Sequence, residues 1–215
     1  MFRIISIISF VVVFVILAVH NIACAPGERR KWRPIEIVTK LLRLLMPPLL
    51  KQQLSELGIL KKLIYLLALL CFVVLLITGF VPRLILGKSL SGYWVMAHVT
   101  FAPVFALCLT ALAVMWAHRC RFDKNDYQTL LHLIQKHTHK DALCEISELI
   151  RKICFWLICV LAIPLILSIV LSMFLLFGTA GQKFLFHLHR YSALLFALAA
   201  IVHTYIVIRI QLRKQ

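Results

Sequence analysis

The chain has 215 residues, of which 62% are apolar and only 15% are charged, and its mean hydropathy is +0.96. Soluble domains are roughly half apolar and about a quarter charged, so this composition excludes a soluble protein and indicates an integral membrane protein. Lys and Arg number 24 against 8 Asp and Glu, a formal net charge of +16. Such a balance suits either nucleic acid or anionic lipid, and the positions of the charges decide between them.

Apolar stretches long enough to be considered as membrane spans cover residues 4–19, 63–81, 93–117, 153–177 and 184–208. The last four each offer about 20 residues for a hydrocarbon core of about 30 Å. The first also resembles a signal peptide, with Arg3 near its start and small residues on both sides of Cys24. A retained anchor helix over residues 1–24 is the favoured interpretation, because cleavage would leave the basic segment that follows on the outer side.

Basic residues concentrate in residues 25–62 and in the connection 118–152, whereas the connections 82–92 and 178–183 carry few. The positive-inside rule therefore places the two basic segments and the C-terminal tail in the cytoplasm. The sequence thus predicts a multi-pass protein of the cell inner (cytoplasmic) membrane. Because these charges flank spans and no nucleic-acid-binding motif accompanies them, they indicate anionic lipid as a partner and argue against nucleic acid.

The segment between the first two apolar stretches, residues 25–61, is basic and amphipathic. Apolar residues recur at helical spacing after Pro34, and a second amphipathic piece over residues 49–60 follows Pro47 and Pro48. Both pieces are predicted to be helices lying in the cytoplasmic interface, with a solvated linker as the alternative. The chain then divides into an anchor helix (1–24), this interfacial segment (25–61) and a four-span core (62–215).

Seven cysteines occur without C-x-x-C or C-x-x-C-H spacing, which argues against zinc, iron–sulfur clusters and covalently attached haem. Most of them lie in apolar spans, where a cysteine behaves as a small apolar side chain. In the polar connection, residues 136–140 read K-H-T-H-K, and His132 lies nearby. No clear carboxylate or cysteine partner accompanies these histidines, so a metal site there is disfavoured.

Histidines inside the apolar spans are the most informative feature of the sequence. His189 and His203 lie fourteen residues apart in the last span, and His98 opens an earlier one. At about 100° and 1.5 Å per residue, fourteen residues return a helix to within about 40° of the same face and advance it about 21 Å. Ionisable side chains at such depth are costly and usually functional. This spacing is that expected of ligands to two stacked haems.

The predicted topology places His98 and His189 each about one turn inside the outer boundary, where two imidazoles can clamp one haem iron. Such an iron has both axial positions filled, so its chemistry is electron transfer. His203 lies deeper, towards the cytoplasm, where a second haem would lie within tunnelling distance of the first. His187 points about 200° away from His189 and is expected to be an interfacial hydrogen-bonding residue.

Small residues accompany these histidines on the same helix faces. Ala193 and Ala200 lie next to the two histidines of the last span, and Ala102 follows one turn after His98. Small side chains there would let a flat macrocycle approach the helix, although they also allow close helix packing. Phe196 lies midway between the two histidines, where it could fill the gap between haem planes; ordinary core packing is the favoured interpretation.

Features at several positions match one known family. Together with the four-span hydropathy, the match depends on His98, His118, RKICFW at 151–156, His189, His203 and Thr204-Tyr205. On these features, residues 62–208 resemble the diheme cytochrome b subunits of membrane-bound formate dehydrogenases and nickel-iron hydrogenases. The resemblance implies an all-α membrane four-helix bundle that binds haem b, one or two per chain, with quinone as substrate.

The resemblance also implies a set of ligands. His98 and His189 would hold the outer haem, and His203 would share the inner haem with a histidine on the first core span. A quinone site would lie near the start of the third core span, bordered here by Glu148 and Lys152. A carboxylate there can accept the proton of a quinol, whereas an acid at a helix start beside basic neighbours is the structural alternative.

The sequence departs from the family in the first core span, which has no histidine. Tyr65 lies roughly where the family ligand is expected, but a phenolate pairs poorly with a low-spin electron-transfer haem. His20, at the cytoplasmic end of the anchor helix, is predicted to replace it and to share the inner haem with His203; an interfacial residue at a helix end is the alternative. His118 is a weaker candidate, since twenty residues of helix, about 30 Å, separate it from His98.

These features predict a membrane cytochrome b subunit of a multisubunit respiratory oxidoreductase. It would carry electrons through b-type haem between the quinone pool and a partner redox subunit outside the membrane, such as an iron–sulfur or c-type cytochrome subunit. The alternative is a non-redox membrane anchor or assembly subunit, in which the histidines only pack. A small transporter is disfavoured, because the spans lack Gly/Pro-interrupted pairs and internal symmetry.

Overall fold

A computed structural model describes residues 1–23, 56–87, 89–124, 126–128, 131, 142–174 and 177–213. These residues form helices and no strand, and the long helices are α1 (Phe2–Ala23), α2 (Glu56–Leu84), α3 (Tyr93–Ala117), α4 (Ala142–Met173) and α5 (Thr179–Arg213). Each of the five contains a segment long and apolar enough to cross a membrane. The all-helical, multi-span character predicted from hydropathy is confirmed.

The helix bounds differ from the predicted spans at their polar ends. Although α3 covers the predicted residues, α4 begins eleven residues and α5 five residues before the corresponding apolar stretch. Residues 56–60, predicted to end a separate interfacial piece, are continuous with α2. Hydropathy marks the part of a helix inside hydrocarbon, whereas polar helix ends continue into headgroups or water. The remainder of the predicted interfacial segment, residues 25–55, lies outside the described residues, as do His132, His137 and His139.

The chain forms two compact units. The first comprises Met1–Ile7 and Phe14–Met115, and the second comprises Ile8–Val13 and Trp116–Gln215. The first unit thus holds α2 and α3, and the second holds α4 and α5. A four-helix bundle formed by both units stays a prediction.

In the first unit, α2 and α3 form an antiparallel hairpin. The rings of Phe72 and Phe105 have centroids 6.1 Å apart, and Thr78 contacts His98 nearer the turn. The connection between the helices includes Gly87 with a φ of 66°, a left-handed conformation that glycine adopts without steric cost.

The N-terminus of α1 contacts the turn end of this hairpin. Arg3 Nε donates a hydrogen bond of 2.9 Å to the backbone carbonyl of Leu84, the last residue of α2. The last carbonyls of a helix have no partner within it, so Arg3 satisfies one of them. Most apolar side chains of α1, such as Val11 and Val15, are exposed, as expected for a helix that faces lipid.

In the second unit, α4 and α5 pack extensively against each other. They are antiparallel, because His189 contacts Leu165 near the turn, whereas His203 lies beside Arg151 at the other end. Fourteen residues separate the two contacts on both helices, so the spacing of the histidines on α5 is matched on α4. The core of this unit includes Leu149, Phe155, Ala162, Leu185, Leu194 and Ala197.

Candidate functional site

His98 is half-buried on α3, five residues after the helix begins at Tyr93. Two consecutive residues of α2 face its ring. Nδ1 of His98 is 2.9 Å from Oγ1 of Thr78, and a Cβ added at Gly79 would lie 3.3 Å from Cε1 of the imidazole. The absence of a side chain at Gly79 therefore provides room for the ring, while Thr78 binds one of its nitrogens.

The hydroxyl of Thr78 contacts both its own helix and the ring of His98. Thr78 is only 5% exposed, and its hydroxyl oxygen lies 2.8 Å from the carbonyl of Val74 and 3.3 Å from the carbonyl of Leu75. Such bonds to a preceding carbonyl are common for threonine inside helices. A threonine hydroxyl that donates to such a carbonyl has only lone pairs to offer Nδ1 of His98, and a neutral imidazole that donates from Nδ1 has its lone pair on Nε2.

His189 has the same arrangement in the second unit. Its Nδ1 is 3.1 Å from the backbone carbonyl of Leu165 and 3.4 Å from Oγ of Ser168, both on α4. A carbonyl only accepts hydrogen bonds, so Nδ1 must be the donor. Ser168 directs its own proton to the Leu165 carbonyl at 3.0 Å, so its oxygen also accepts. The lone pair of His189 again lies on Nε2.

The helix bounds refine the predicted depth of these two rings. His98 lies five residues into α3 and His189 ten residues into α5, which correspond to about 7.5 and 15 Å along the helix axes. The first turns of α5 include Gln182 and Lys183, and its apolar run begins at Phe184. Counted from Phe184, His189 is also five residues in, so the predicted equal depth requires that the polar start of α5 lie outside the hydrocarbon.

His203 differs from both of these histidines. It is half-buried on α5 beside Arg151, yet its Nδ1 is buried and has no hydrogen-bond partner within the described part of the chain. A buried polar atom of this kind is costly unless a ligand or an ordered water satisfies it. The ring of His203 does make a backbone hydrogen bond with Arg151 on α4, so the neighbouring helix contacts all three histidines, but it does so through Nδ1 only at His98 and His189.

The other histidines predicted from the sequence lie at helix ends or on the surface. His20 is half-buried in the last turn of α1, within the first unit, and its pairing with His203 stays a prediction. His118 follows the end of α3 in a turn and is exposed, as is His187 on α5. Tyr65 is half-buried on α2.

The small residues beside the histidines are only partly covered. Ala102, Ala193 and Ala200 are half-buried, so each still exposes part of its surface. Phe196, by contrast, is 4% exposed. Its burial agrees with the core-packing interpretation, which requires no bound group.

Glu148 and Lys152, predicted to border a quinone pocket, lie on α4, and each makes an ion pair. Glu148 Oε2 accepts a hydrogen bond of 2.7 Å from Arg151 Nε, and Lys152 Nζ is 2.6 Å from Asp126 Oδ2. Burial raises the pKa of the Asp126 carboxyl, but the hydrogen bonds from Lys152 and from the backbone N–H of Asp123, together with the nearby cationic charges, outweigh burial and hold this pKa below its usual value. This end of α4 is therefore densely charged.

Cys120 links the connection after α3 to the same end of α4. It is 1% exposed; its backbone carbonyl accepts a hydrogen bond of 2.9 Å from Trp156 Nε1, and its Sγ lies 3.7 Å from Arg151 Nη1. Sequence reasoning missed this contact. The position of Trp156 near the end of a span could have indicated it, because a buried indole N–H requires a hydrogen-bond acceptor.

Thr78 and Ser168 were also missed as parts of the candidate site. Thr78 precedes His98 by 20 residues and Ser168 precedes His189 by 21, the separation that an antiparallel helical hairpin brings together. A hydroxyl residue about twenty residues before His98 and before His189 is thus the signal that could have identified them. The Leu165 carbonyl has no such signal, because every residue carries one.

The donor chemistry of His98 and His189 fits axial ligation of a haem iron. A metal-bound imidazole nearly always donates its other ring N–H to a neighbouring acceptor, which fixes its tautomer and orientation. Both histidines have this arrangement through Nδ1. Across the described ranges, no three His, Cys, Asp or Glu side chains are placed to hold a metal ion by themselves; a haem iron takes only its axial ligands from the protein.

No protein-family model, curated protein or solved structure matches the chain. The class of protein is therefore given by the fold: the five long apolar helices indicate an all-helical, multi-pass membrane protein.

Proposed function

We propose that the chain is a membrane cytochrome b subunit of a multisubunit respiratory oxidoreductase, located in the inner (cytoplasmic) membrane. It transfers electrons between the quinone pool and a partner redox subunit through b-type haem. One observation supports this proposal above the others: His98 and His189 both place Nδ1 within hydrogen-bond distance of a group on the preceding helix, a hydroxyl for His98 and a backbone carbonyl for His189. Packing alone does not require two half-buried rings to present the same nitrogen to the preceding helix.

The residues of the chain supply the binding and orientation of the cofactor. His98 and His189 are the proposed ligands of an outer haem, and His203 and His20 those of an inner haem. When bound, a haem with two imidazole ligands supplies reversible one-electron transfer and offers no open position to oxygen or substrate.

A quinone site at the cytoplasmic end of α4 belongs to the same proposal. Glu148 is 37% exposed, and Arg151 holds its carboxylate as a hydrogen-bond acceptor. An exposed carboxylate in this position can receive the proton of a quinol. Lys152 borders the same region, and the basic cytoplasmic segments favour anionic lipid. An iron–sulfur or c-type cytochrome subunit outside the membrane completes the proposed complex.

Haem analysis of the purified full chain tests the proposal. A pyridine haemochrome assay and a reduced-minus-oxidised spectrum are expected to show b-type haem with a sharp reduced α band. His98→Ala and His189→Ala are each expected to remove the same haem. His187→Ala is the matched control, because this exposed histidine lies two residues from His189 on the same helix, and its replacement should leave the haem content unchanged.

The alternative function gives a different result. A parent protein that contains no haem, produced in cells with an ample haem supply, would refute the proposal and favour a non-redox membrane anchor. Full haem content and an unchanged spectrum in His98→Ala would exclude this residue as a ligand.

A further inference from the structure

We infer that Thr78 is a positioning residue for His98, whose imidazole its hydroxyl holds in the Nδ1–H tautomer so that Nε2 keeps the lone pair that an iron requires. This inference rests on the proposed haem site, and it identifies the residue that prepares one of the ligands.

The argument depends on the two hydrogen bonds that Thr78 makes at once. Its oxygen lies 2.8 Å from the Val74 carbonyl on its own helix and 2.9 Å from His98 Nδ1. When its single proton is donated to the Val74 carbonyl, the oxygen can only accept from Nδ1–H of His98. Because Thr78 is buried, water does not readily replace this acceptor. Without the hydroxyl, the neutral ring can carry its proton on Nε2 instead, and that tautomer offers no lone pair to a metal from this nitrogen.

The second hairpin provides an internal comparison. At His189 the shorter contact is to the backbone carbonyl of Leu165 at 3.1 Å, and the hydroxyl of Ser168 is farther away at 3.4 Å. A side-chain substitution at Ser168 therefore leaves the main acceptor in place, whereas a substitution at Thr78 removes the hydroxyl acceptor of His98. The two hydroxyls occupy corresponding positions but are expected to differ in importance.

Orientation of the ring follows from the same helix. Gly79, next to Thr78, lies against Cε1 of His98, so two adjacent residues of α2 limit both the position of the imidazole and its rotation. A ligand whose outer hydrogen bond is removed typically loses about ten- to hundredfold in metal affinity. The same magnitude is expected for the haem held by His98.

Three variants of the full chain test this role: Thr78→Val, which removes the hydroxyl at nearly constant size, Thr78→Ser, which restores it, and Thr110→Val as the matched control, because Thr110 is exposed and its hydroxyl bonds the carbonyl of Ala106 on its own helix. Haem loss is measured by transfer to apomyoglobin, and the midpoint potential by redox titration. Thr78→Val is expected to lose the outer haem about ten- to hundredfold faster. Its potential should rise, because the lost N–H bond makes the imidazole less basic and stabilises the ferric state less. Thr78→Ser and Thr110→Val should resemble the parent.

A measurement without haem separates this inference from the proposed function. In ¹⁵N NMR spectra of histidine-labelled protein, with His98 assigned from a His98→Ala difference, the parent should carry the proton on Nδ1 and Thr78→Val should shift it towards Nε2. A proton on Nε2 in the parent, or a Thr78→Val variant with unchanged tautomer, haem loss and potential, would overturn the inference. A parent without haem but with Nδ1–H at His98 would refute the proposed function alone.

Discussion

Replacing Gly79 with alanine is expected to leave the fold intact while displacing the imidazole of His98. The added Cβ would lie 3.3 Å from Cε1 of the ring, closer than the separation of about 3.5–4.0 Å at which carbon atoms attract best. The ring must therefore move by a few tenths of an ångström. Its bond to Thr78, now 2.9 Å, would lengthen to about 3.2 Å or more, the outer limit of a good N–H···O hydrogen bond.

Two free-energy changes oppose each other in this variant. Alanine is more favourable than glycine inside a helix by about 0.8–1.0 kcal/mol, whereas weakening one hydrogen bond costs about 1 kcal/mol. The free energy of unfolding should therefore change little. The position of Nε2, in contrast, shifts by an amount that approaches the tolerance of a binding site, about 0.5 Å. Haem occupancy should fall although the protein remains folded.

The assay compares haem per protein and the position of the α band with the thermal denaturation midpoint. Gly178→Ala is the control, because a Cβ added there meets nothing within 4 Å, and it should keep the haem content of the parent. Parent-like haem content and spectrum in Gly79→Ala would refute the argument that this close approach positions the ring. A large fall in the denaturation midpoint would contradict the expectation that the gain in helix propensity offsets the weakened hydrogen bond.

Three further predictions concern the ion pairs and the remaining histidines. Asp126→Asn removes the anionic partner of Lys152, whose side chain is 16% exposed, and should lower the stability at pH 7 by about 2 kcal/mol in thermal denaturation. Because the pKa of Asp126 lies below its usual value in the folded protein, this stabilisation is present above about pH 4 and is lost as the pH falls through the folded pKa; the variant should lack that acid-dependent loss. Glu148→Gln is expected to slow quinone turnover without haem loss. Normal turnover in this variant would show that Glu148 serves only in its ion pair with Arg151. His20→Ala should lose one of two haems while His118→Ala keeps both; two haems in the His20 variant, or one in the parent, would contradict this assignment.

The helices could be predicted from the sequence because about 20 consecutive apolar residues are a strong signal. The residues at which these helices begin and end could not be predicted in this way. Nothing in the hydropathy indicates that α2 begins at Glu56 or that α4 begins at Ala142, since polar residues continue a helix beyond the hydrocarbon. The apolar part of each helix could thus be predicted, because the hydrocarbon requires it. The polar ends could not, because only backbone hydrogen bonds continue the helix there.

In the candidate site, too, some features could be predicted from the sequence and others could not. The positions of His98 and His189 inside apolar spans follow from the sequence, but the partners of their Nδ1 atoms depend on the register between antiparallel helices. Thr78 could be found only once that register is known, and the carbonyl of Leu165 has no counterpart in the sequence. The contact of Lys152 with Asp126, 26 residues away, likewise depends on how the connection folds back onto α4.

The packing of α4 against α5 has a mechanical consequence. One continuous helix contacts His189 through Leu165 and lies beside His203 at Arg151, two positions about 21 Å apart along its axis. An axial shift of about 1.5 Å, a single residue, would disrupt the 3.1 Å bond to His189 and move Arg151 past His203 by the same distance. A displacement of α4 along its axis would therefore alter the surroundings of His189 and His203 at once.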